Sequence, residues 1–450
     1  MSITAPARTT LPAAPTAPET HRWPPVIWAL LLGTFVVRAA GFALPFLSYR
    51  LAELGFSIST IGRILAAFGG GWLLGQLLCG WLADRVGRRT TLVGAMTVAT
   101  ITMPALAAAQ SLCAVLAAAF VSGMVFDAPR PIVSAVILDT IPTESGRTQI
   151  NGWRHMAVNV AAGLTGAIGG LLAGDAGTSP LFLINAAGCA SCGILALLVM
   201  KPDRTAPRPL AERSSLRRPL TDGRLWLLWM ASLAALTCAA AMFSALPLLM
   251  ASDGLNAAAY GRTQAVAAIV VLALSPVLTP RLSRRAERPT PMVGVLATGS
   301  LLLGAGMGAA GLANDTAGYA LASSLAVPGE IVLFIAAGSI LNHISPPDSR
   351  GLYAGIWGTT MAVAVIVSPL LAAWSLQTGG DLLAGATILG SGLLGAALCA
   401  PLKALLHPGS PPTATHPAAA ESLRLQRVPK PSASGRLLHP DAALHGGGAS

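Results

Sequence analysis

Charge is what this chain has least of. Asp, Glu, Lys and Arg make up 10% of its 450 residues and 54% are hydrophobic, whereas soluble proteins carry about 25% charged residues. With a mean hydropathy of +0.66, it holds more apolar surface than one soluble core could bury, which points to an integral membrane protein. Aromatics are also few, at 5%. The net charge of +11 comes from basic residues that interrupt apolar blocks, not from one basic surface with stacking aromatics, so no nucleic-acid partner is expected.

Other absences narrow the class. The six cysteines (Cys79, Cys113, Cys189, Cys192, Cys238, Cys399) all fall inside apolar runs, where a thiol acts as a small hydrophobe and implies no disulfide framework. Cys189 and Cys192 form a CxxC, yet with no second pair or His cluster nearby they read as packing residues, and no metal site is expected. A GxxxxGK[ST] loop is missing, which argues against direct use of ATP. Ser, His and carboxylate residues are scattered, so the chain is not expected to be an enzyme, and no cofactor is implied. Residues 1–25 carry no apolar core of the signal-peptide kind. Both they and the tail from 403 to 450, rich in Pro, Ser, Ala and Gly, are expected to be disordered.

What is present is a series of long apolar runs. A helix rises about 1.5 Å per residue and the hydrocarbon core is about 30 Å thick, so a crossing needs about 20 apolar residues. Twelve such runs occur, near 26–48, 61–83, 91–109, 112–137, 150–173, 180–200, 225–250, 258–279, 291–312, 318–341, 352–375 and 382–402. Lys and Arg gather in alternate loops: Arg85, Arg88 and Arg89; Arg147; Lys201 to Arg218; Arg281 to Arg288; Arg350. By the positive-inside rule both termini are cytoplasmic, in a multi-pass protein of the plasma membrane.

The chain repeats itself. ALP at 43–45 returns at 245–247, GR at 62–63 returns at 261–262, and LADRVGRR at 82–89 returns as LTPRLSRR at 278–285. Arg147 matches Arg350 and Gly152 matches Gly355 at an offset of 203. The expected architecture is therefore all-α: six helices over 26–200, a basic cytoplasmic loop over 201–224, and six more helices over 225–402. Two halves in the same orientation are parallel repeats about an axis along the membrane normal.

Six plus six helices, a basic central loop and G-x-L-A-D-R-x-G-R-R at 80–89 resemble the major facilitator superfamily. The stretches 38–57 and 130–170 look like its bacterial drug:proton antiporter branch. The resemblance implies alternating access. It assigns the 80–89 loop (Gly80, Asp84, Arg85, Gly87, Arg88, Arg89) to a conformational latch, in which Asp84 meets the N-terminus of the eleventh helix near Gly351 and Arg88 engages Asp139. Helix N-termini attract negative charge, so the Asp84 contact is physically sound.

Ionisable groups at mid-membrane cost roughly 2.5–3.5 kcal/mol on insertion scales and generally face a cavity or a partner. Arg38, Asp127, Arg130, Arg154, His155 and Glu330 lie inside apolar runs. Glu330 falls 203 residues after Asp127, so the two carboxylates are expected to face each other across a central cavity as proton or cation sites. Both sit beside helix breakers, Pro129 and Pro131 for one and Pro328–Gly329 for the other. Asp127 and Arg130 are three apart and fit a structural ion pair equally well. Arg38 reads either as a partner for a substrate anion or carboxylate, or as a fixed structural cation. In the fifth helix His155, Asn159 and Gly166 share a face, and Gly169 and Gly170 continue the small-residue surface on which helices approach closely. The antiporter Gly-Pro of that helix is replaced by Thr165–Gly166, whereas Ser368–Pro369 keeps a proline in the second half. Together these features lead to proton-coupled efflux of a small organic or drug-like molecule by a monomer in the lipid bilayer, driven by the proton gradient. An importer of a small organic solute, and a non-transporting membrane sensor or partner protein, stand as alternatives.

Overall fold

The structure is a computed structural model that describes residues 23–202, 217–286, 288, 290–346 and 349–406. The expected tails and most of the central loop therefore lie outside the described residues, although Lys403 to Leu406, assigned to the tail by sequence, are helical.

Among the described residues every regular element is a helix. In chain order they are α1 (Pro25–Ala39), α2 (Ala43–Glu53), α3 (Ile58–Arg85), α4 (Arg88–Ala108), α5 (Leu112–Phe126), α6 (Pro129–Thr140), α7 (Glu144–Ala176), α8 (Ser179–Val199), α9 (Arg217–Thr221), α10 (Gly223–Ala241), α11 (Ala245–Ser252), α12 (Ala257–Ala286), α13 (Val293–Ala309), α14 (Thr316–Ile344) and α15 (Arg350–Leu406). By length and composition 11 segments suffice to cross a membrane. The last of these, α15, loses helical geometry at Gly379 and Gly380, so its two parts match the eleventh and twelfth apolar runs.

Local chemistry sets the helix ends. Ser57, Ser111, Thr143, Asp222 and Asp315 each accept a backbone N–H from the first turn of the helix that follows, satisfying donors that a helix cannot pair internally. Gly87 precedes α4 with φ +101°, a conformation that carries a steric cost for any residue with a Cβ; this accounts for the glycine in the 80–89 loop. At the end of α6, Arg147 donates to the carbonyls of Ile141 (2.6 Å) and Leu138 (3.1 Å).

Three crossings are broken into two helices. α1 and α2 part at 40–42, α5 and α6 at Asp127–Ala128, and α10 and α11 at 242–244. In the first break Thr165 donates to the carbonyls of Arg38 (2.7 Å) and Ala39 (3.1 Å), and the Asn185 side chain accepts from the Ala43 amide (3.2 Å). Freed backbone groups are thus satisfied by neighbouring helices, as a membrane interior requires. α14 departs from expectation: it runs unbroken through Pro328 and Gly329. Gly329 instead admits α13, since a Cβ there would lie 2.6 Å from the Leu303 nitrogen. Trp72 is 4% exposed and packs edge-on to Phe126 at 5.1 Å.

Within the first half α1 packs on α7 and α8, α3 on α5, and α4 on α8; within the second, α10 and α13 pack on α15, and α12 and α13 on α14. Among the described residues the halves are joined mainly by α3 with α15 and α7 with α12, and to a smaller extent by α2 with α11. Their close approaches cluster away from the arginine-rich loops. A Cβ on Gly62 would stand 2.6 Å from Ala373 Cβ, one on Gly166 2.6 Å from Gln264 Cβ, and one on Gly170 2.6 Å from Gly261 Cα. Tyr260 closes the same end against Phe46 and Tyr49, at 5.5 and 5.8 Å between ring centroids. Toward the basic end no described glycine makes such an approach across the halves: Gly80, Gly152, Gly351, Gly355 and Gly358 have open space where a Cβ would stand, as do the loop glycines Gly55 and Gly254 at the other end.

Candidate functional site

The break between α5 and α6 places Asp127 as the capping residue of α5, with its carboxylate 1% exposed. A lone buried carboxylate is costly, and this one is heavily compensated. Arg38 of α1 forms an ion pair with its Oδ1. Arg130, one turn further along in α6, places Nε 3.2 Å from Oδ2, and Gln76 of α3 donates to the same oxygen at 3.5 Å. Arg38 also lies over the Phe126 ring, 5.2 Å from its centroid, a cation–π placement that holds the guanidinium in position. Of the open readings for Asp127 and Arg130, the structure realises the i,i+3 ion pair, and it adds Arg38 to it.

Arg38, Phe126, Asp127 and Arg130 line a cavity of about 240 Å³ with Thr34, Val37, Pro129, Val133, Asn151, Arg154 and Val158. Arg154, on α7, donates from Nη1 to the Ser134 hydroxyl at 2.7 Å. Four charged residues from four helices, α1, α5–α6 and α7 among them, therefore converge on one mid-helix space. Sequence reasoning noticed Arg154 as a charge in an apolar run but did not place it in the site, and it missed Gln76 and Phe126. A glutamine in the glycine-rich face of α3 was the available signal.

Glu330 is not part of this cavity. It is half-buried on α14, and the lining of the Asp127 cavity does not include it. The expected pairing of two carboxylates facing each other is thus corrected: Asp127 turns into an arginine cluster within its own half, while Glu330 has no hydrogen bond or ion pair among the described residues. The sequence offset gives equivalent depth along two helices, but it does not fix the rotation of each helix.

The latch residues divide. Arg88 forms an ion pair with Asp139 and donates to the Ala135 carbonyl at 2.6 Å, tying the start of α4 to the end of α6. Arg89 donates to the Leu197 carbonyl at 2.8 Å, and Arg85 lies over the Trp81 ring at 4.8 Å. Asp84 is exposed and makes no hydrogen bond or ion pair among the described residues. Its expected contact with the N-terminus of α15 is not made in this conformation, because the basic end is open and Gly351 has no neighbour within 4 Å of a built Cβ.

On α7, Gly166 and Gly170 meet α12, and Gly169 meets Phe46 of α2 and Phe42 in the break before it. The side chains of His155 and Asn159 lie outside the described residues. Cys189 and Cys192 are buried free thiols, and among the described residues no group of three His, Cys, Asp or Glu could hold a metal.

Comparison with known proteins agrees with this arrangement. The Major Facilitator Superfamily pattern matches residues 30–329. An uncharacterised MFS-type transporter of Bacillus subtilis (strain 168), YqjV, is 25% identical over 358 residues, covering 76% of this chain and 84% of the relative. The multidrug resistance protein MdtH of Aeromonas hydrophila is 28% identical over 350 residues, covering 72% and 79%. In fold, the crystal structure of a POT family transporter in complex with a thioalcohol-conjugated peptide superposes with a TM-score of 0.71 at 14% identity, covering 85% of this chain and 96% of that one. The relatives and the fold are those of membrane transporters and not of enzymes. With its apolar crossings, its glycine-packed seams and a family pattern that matches residues 30–329, the chain belongs to the major facilitator superfamily.

Proposed function

We propose that this protein is a proton-coupled exporter of a small organic molecule, working by alternating access between two six-helix halves, with its basic end in the cytoplasm. The observation that carries this reading is one-sided closure. Glycine seams seal the end opposite the arginine loops, and the mid-membrane charges lie beneath an open basic end. A bundle with one tight end and one open end needs only a rocking exchange of those seams to change the side from which the cavity is reached.

The basic end is assigned to the cytoplasm because Lys and Arg in short loops are retained there. Similarity to a multidrug resistance protein supports the outward direction and the drug:proton branch. α7 carries Thr165–Gly166 where antiporters of that branch have Gly-Pro, and it runs unbroken from Glu144 to Ala176. This feature favours import as the second reading, and accumulation in inverted against right-side-out vesicles separates the two. A monomer suffices for either.

Glu330 is the proposed proton carrier. A carboxylate without an ion partner on a membrane helix is costly when ionised, whereas Asp127 already has two arginines. The test is transport in proteoliposomes under an imposed pH gradient. Glu330→Gln is expected to abolish gradient-driven transport while substrate exchange persists; full gradient-driven transport by that variant would overturn the assignment.

A further inference from the structure

We propose that the molecule carried is an organic anion, with a carboxylate or phosphonate head held by Arg130 and Arg154. This deepens the transport reading above and rests on it for the identity of the cavity as the substrate site.

The argument is one of charge balance. Arg38, Arg130 and Arg154 line the same cavity with one carboxylate, Asp127. Guanidinium groups stay protonated in proteins, so the site carries an excess of two positive charges. Asp127 is already saturated: Oδ1 faces Arg38, and Oδ2 is shared by Arg130 and Gln76. Arg154 finds a neutral hydroxyl, Ser134 Oγ, and no carboxylate within ion-pairing distance among the described residues. Arg130 touches Asp127 at one edge, lines the cavity and keeps its side chain 49% exposed.

Two guanidiniums short of counter-charge in a membrane interior are costly when the site is empty, and an anion relieves that cost. Their planar forks match carboxylate and phosphate oxygens in pairs. Val37, Val133, Val158 and Phe126 offer an apolar wall beside them, which suits an anionic head on a hydrophobic body. The volume of about 240 Å³ lies below the ~300–1,000 Å³ of drug-sized pockets, so the molecule is small. The same field repels organic cations.

The same head chemistry exists on anionic lipids, and the test separates the two sources. Purified protein in nanodiscs of zwitterionic lipid is titrated with aliphatic dicarboxylates, aromatic carboxylates and alkyl phosphonates, each beside its neutral amide and an ammonium analogue, and thermal stability is recorded. Stabilisation by at least one anion and not by its amide or ammonium counterpart is expected. Arg154→Gln and Arg130→Gln should each weaken that anion about tenfold, and Arg154→Lys should restore part of the loss, which guards against a variant that merely folds poorly. Preference for the ammonium series, no response to any anion, or unchanged affinity in both Gln variants overturns the proposal. Loss of the anion response when phosphatidylglycerol is added to the nanodiscs assigns the site to a lipid headgroup and overturns it as a substrate site. Anion binding without pH-driven flux in proteoliposomes upholds the substrate class while the proton-coupled reading fails. Flux of a cation instead does the reverse.

Discussion

Gly170 and Gly261 meet across the seam between the two halves so closely that a Cβ on Gly170 would lie 2.6 Å from the Cα of Gly261. The companion seam has the same construction, with Gly62 of α3 against Ala373 and Pro369 of α15. Gly62 and Gly261 are the glycines of the repeated GR dipeptide, each on the first turns of its helix. The internal repeat thus recurs as two equivalent points of closure. In lipid, where hydrophobicity does not drive helices together, small residues supply the close packing that does.

Gly261→Leu should therefore keep the closed end from forming. Overpacking costs about 1–3 kcal/mol, so transport should fall about tenfold or more, with the protein shifted toward the state open opposite the arginine loops. Thiol labelling of cysteines introduced along α12 checks this, and Gly94→Leu, at a site with open space, serves as the control. Equal transport by the two variants would contradict the seam.

Asp127→Asn should be the most destabilising conservative change in the cavity. It leaves three arginines without a carboxylate, and removing one partner of a buried pair costs about 3–5 kcal/mol. Arg130→Gln should cost far less, because that side chain is half exposed. Melting temperatures in one detergent compare them, and an Asp127→Asn protein as stable as Arg130→Gln contradicts the cluster.

Asp84→Asn should leave ligand affinity and melting temperature near those of the wild type, because Asp84 has no partner in the conformation seen. Turnover should fall by about tenfold, equivalent to ~1.4 kcal/mol, as closure of the basic end loses its contact with the α15 N-terminus. Binding and flux measured on one preparation test this, and a selective loss of affinity at normal turnover is the contrary result.

Asp222 caps α10 and accepts from Tyr353 of α15 at 2.8 Å. Burial pushes its carboxyl up, but hydrogen bonds from Arg224 and Tyr353 together outweigh burial and hold it below the usual carboxylate range. A depressed pKa in the folded state stabilises above the unfolded value of about 3.9, and that stabilisation is lost as pH falls through the folded value. Asp222→Ala should cost about 1 kcal/mol at neutral pH from the lost cap. The gap in melting temperature from wild type should then narrow below about pH 4; a gap independent of pH contradicts the tie.

Much of this molecule is readable in its composition and periodicity. Twelve apolar runs of crossing length, the repeat, and arginines confined to alternate loops leave few arrangements in which apolar surface meets lipid and every backbone group is paired. The Arg88–Asp139 pair, implied by the resemblance of the 80–89 loop to its family, is present in the structure. The breaks at Asp127 and at 40–42 were less legible, since Pro328 reads like Pro129 in sequence and yet α14 stays continuous.

The tertiary structure decided which charges meet. Asp127 could have turned to Glu330 or to Arg130 on sequence grounds, and it took Arg130 together with Arg38 and Gln76 from two other helices, while Arg154 came in from a third. Spacing along the chain sets the depth of a side chain in the membrane, but its partner depends on how each helix is rotated and tilted. Those angles are set by the packing of small residues against neighbours remote in sequence, such as Gly170 against Gly261, Gly329 against Leu303 and Gly62 against Ala373.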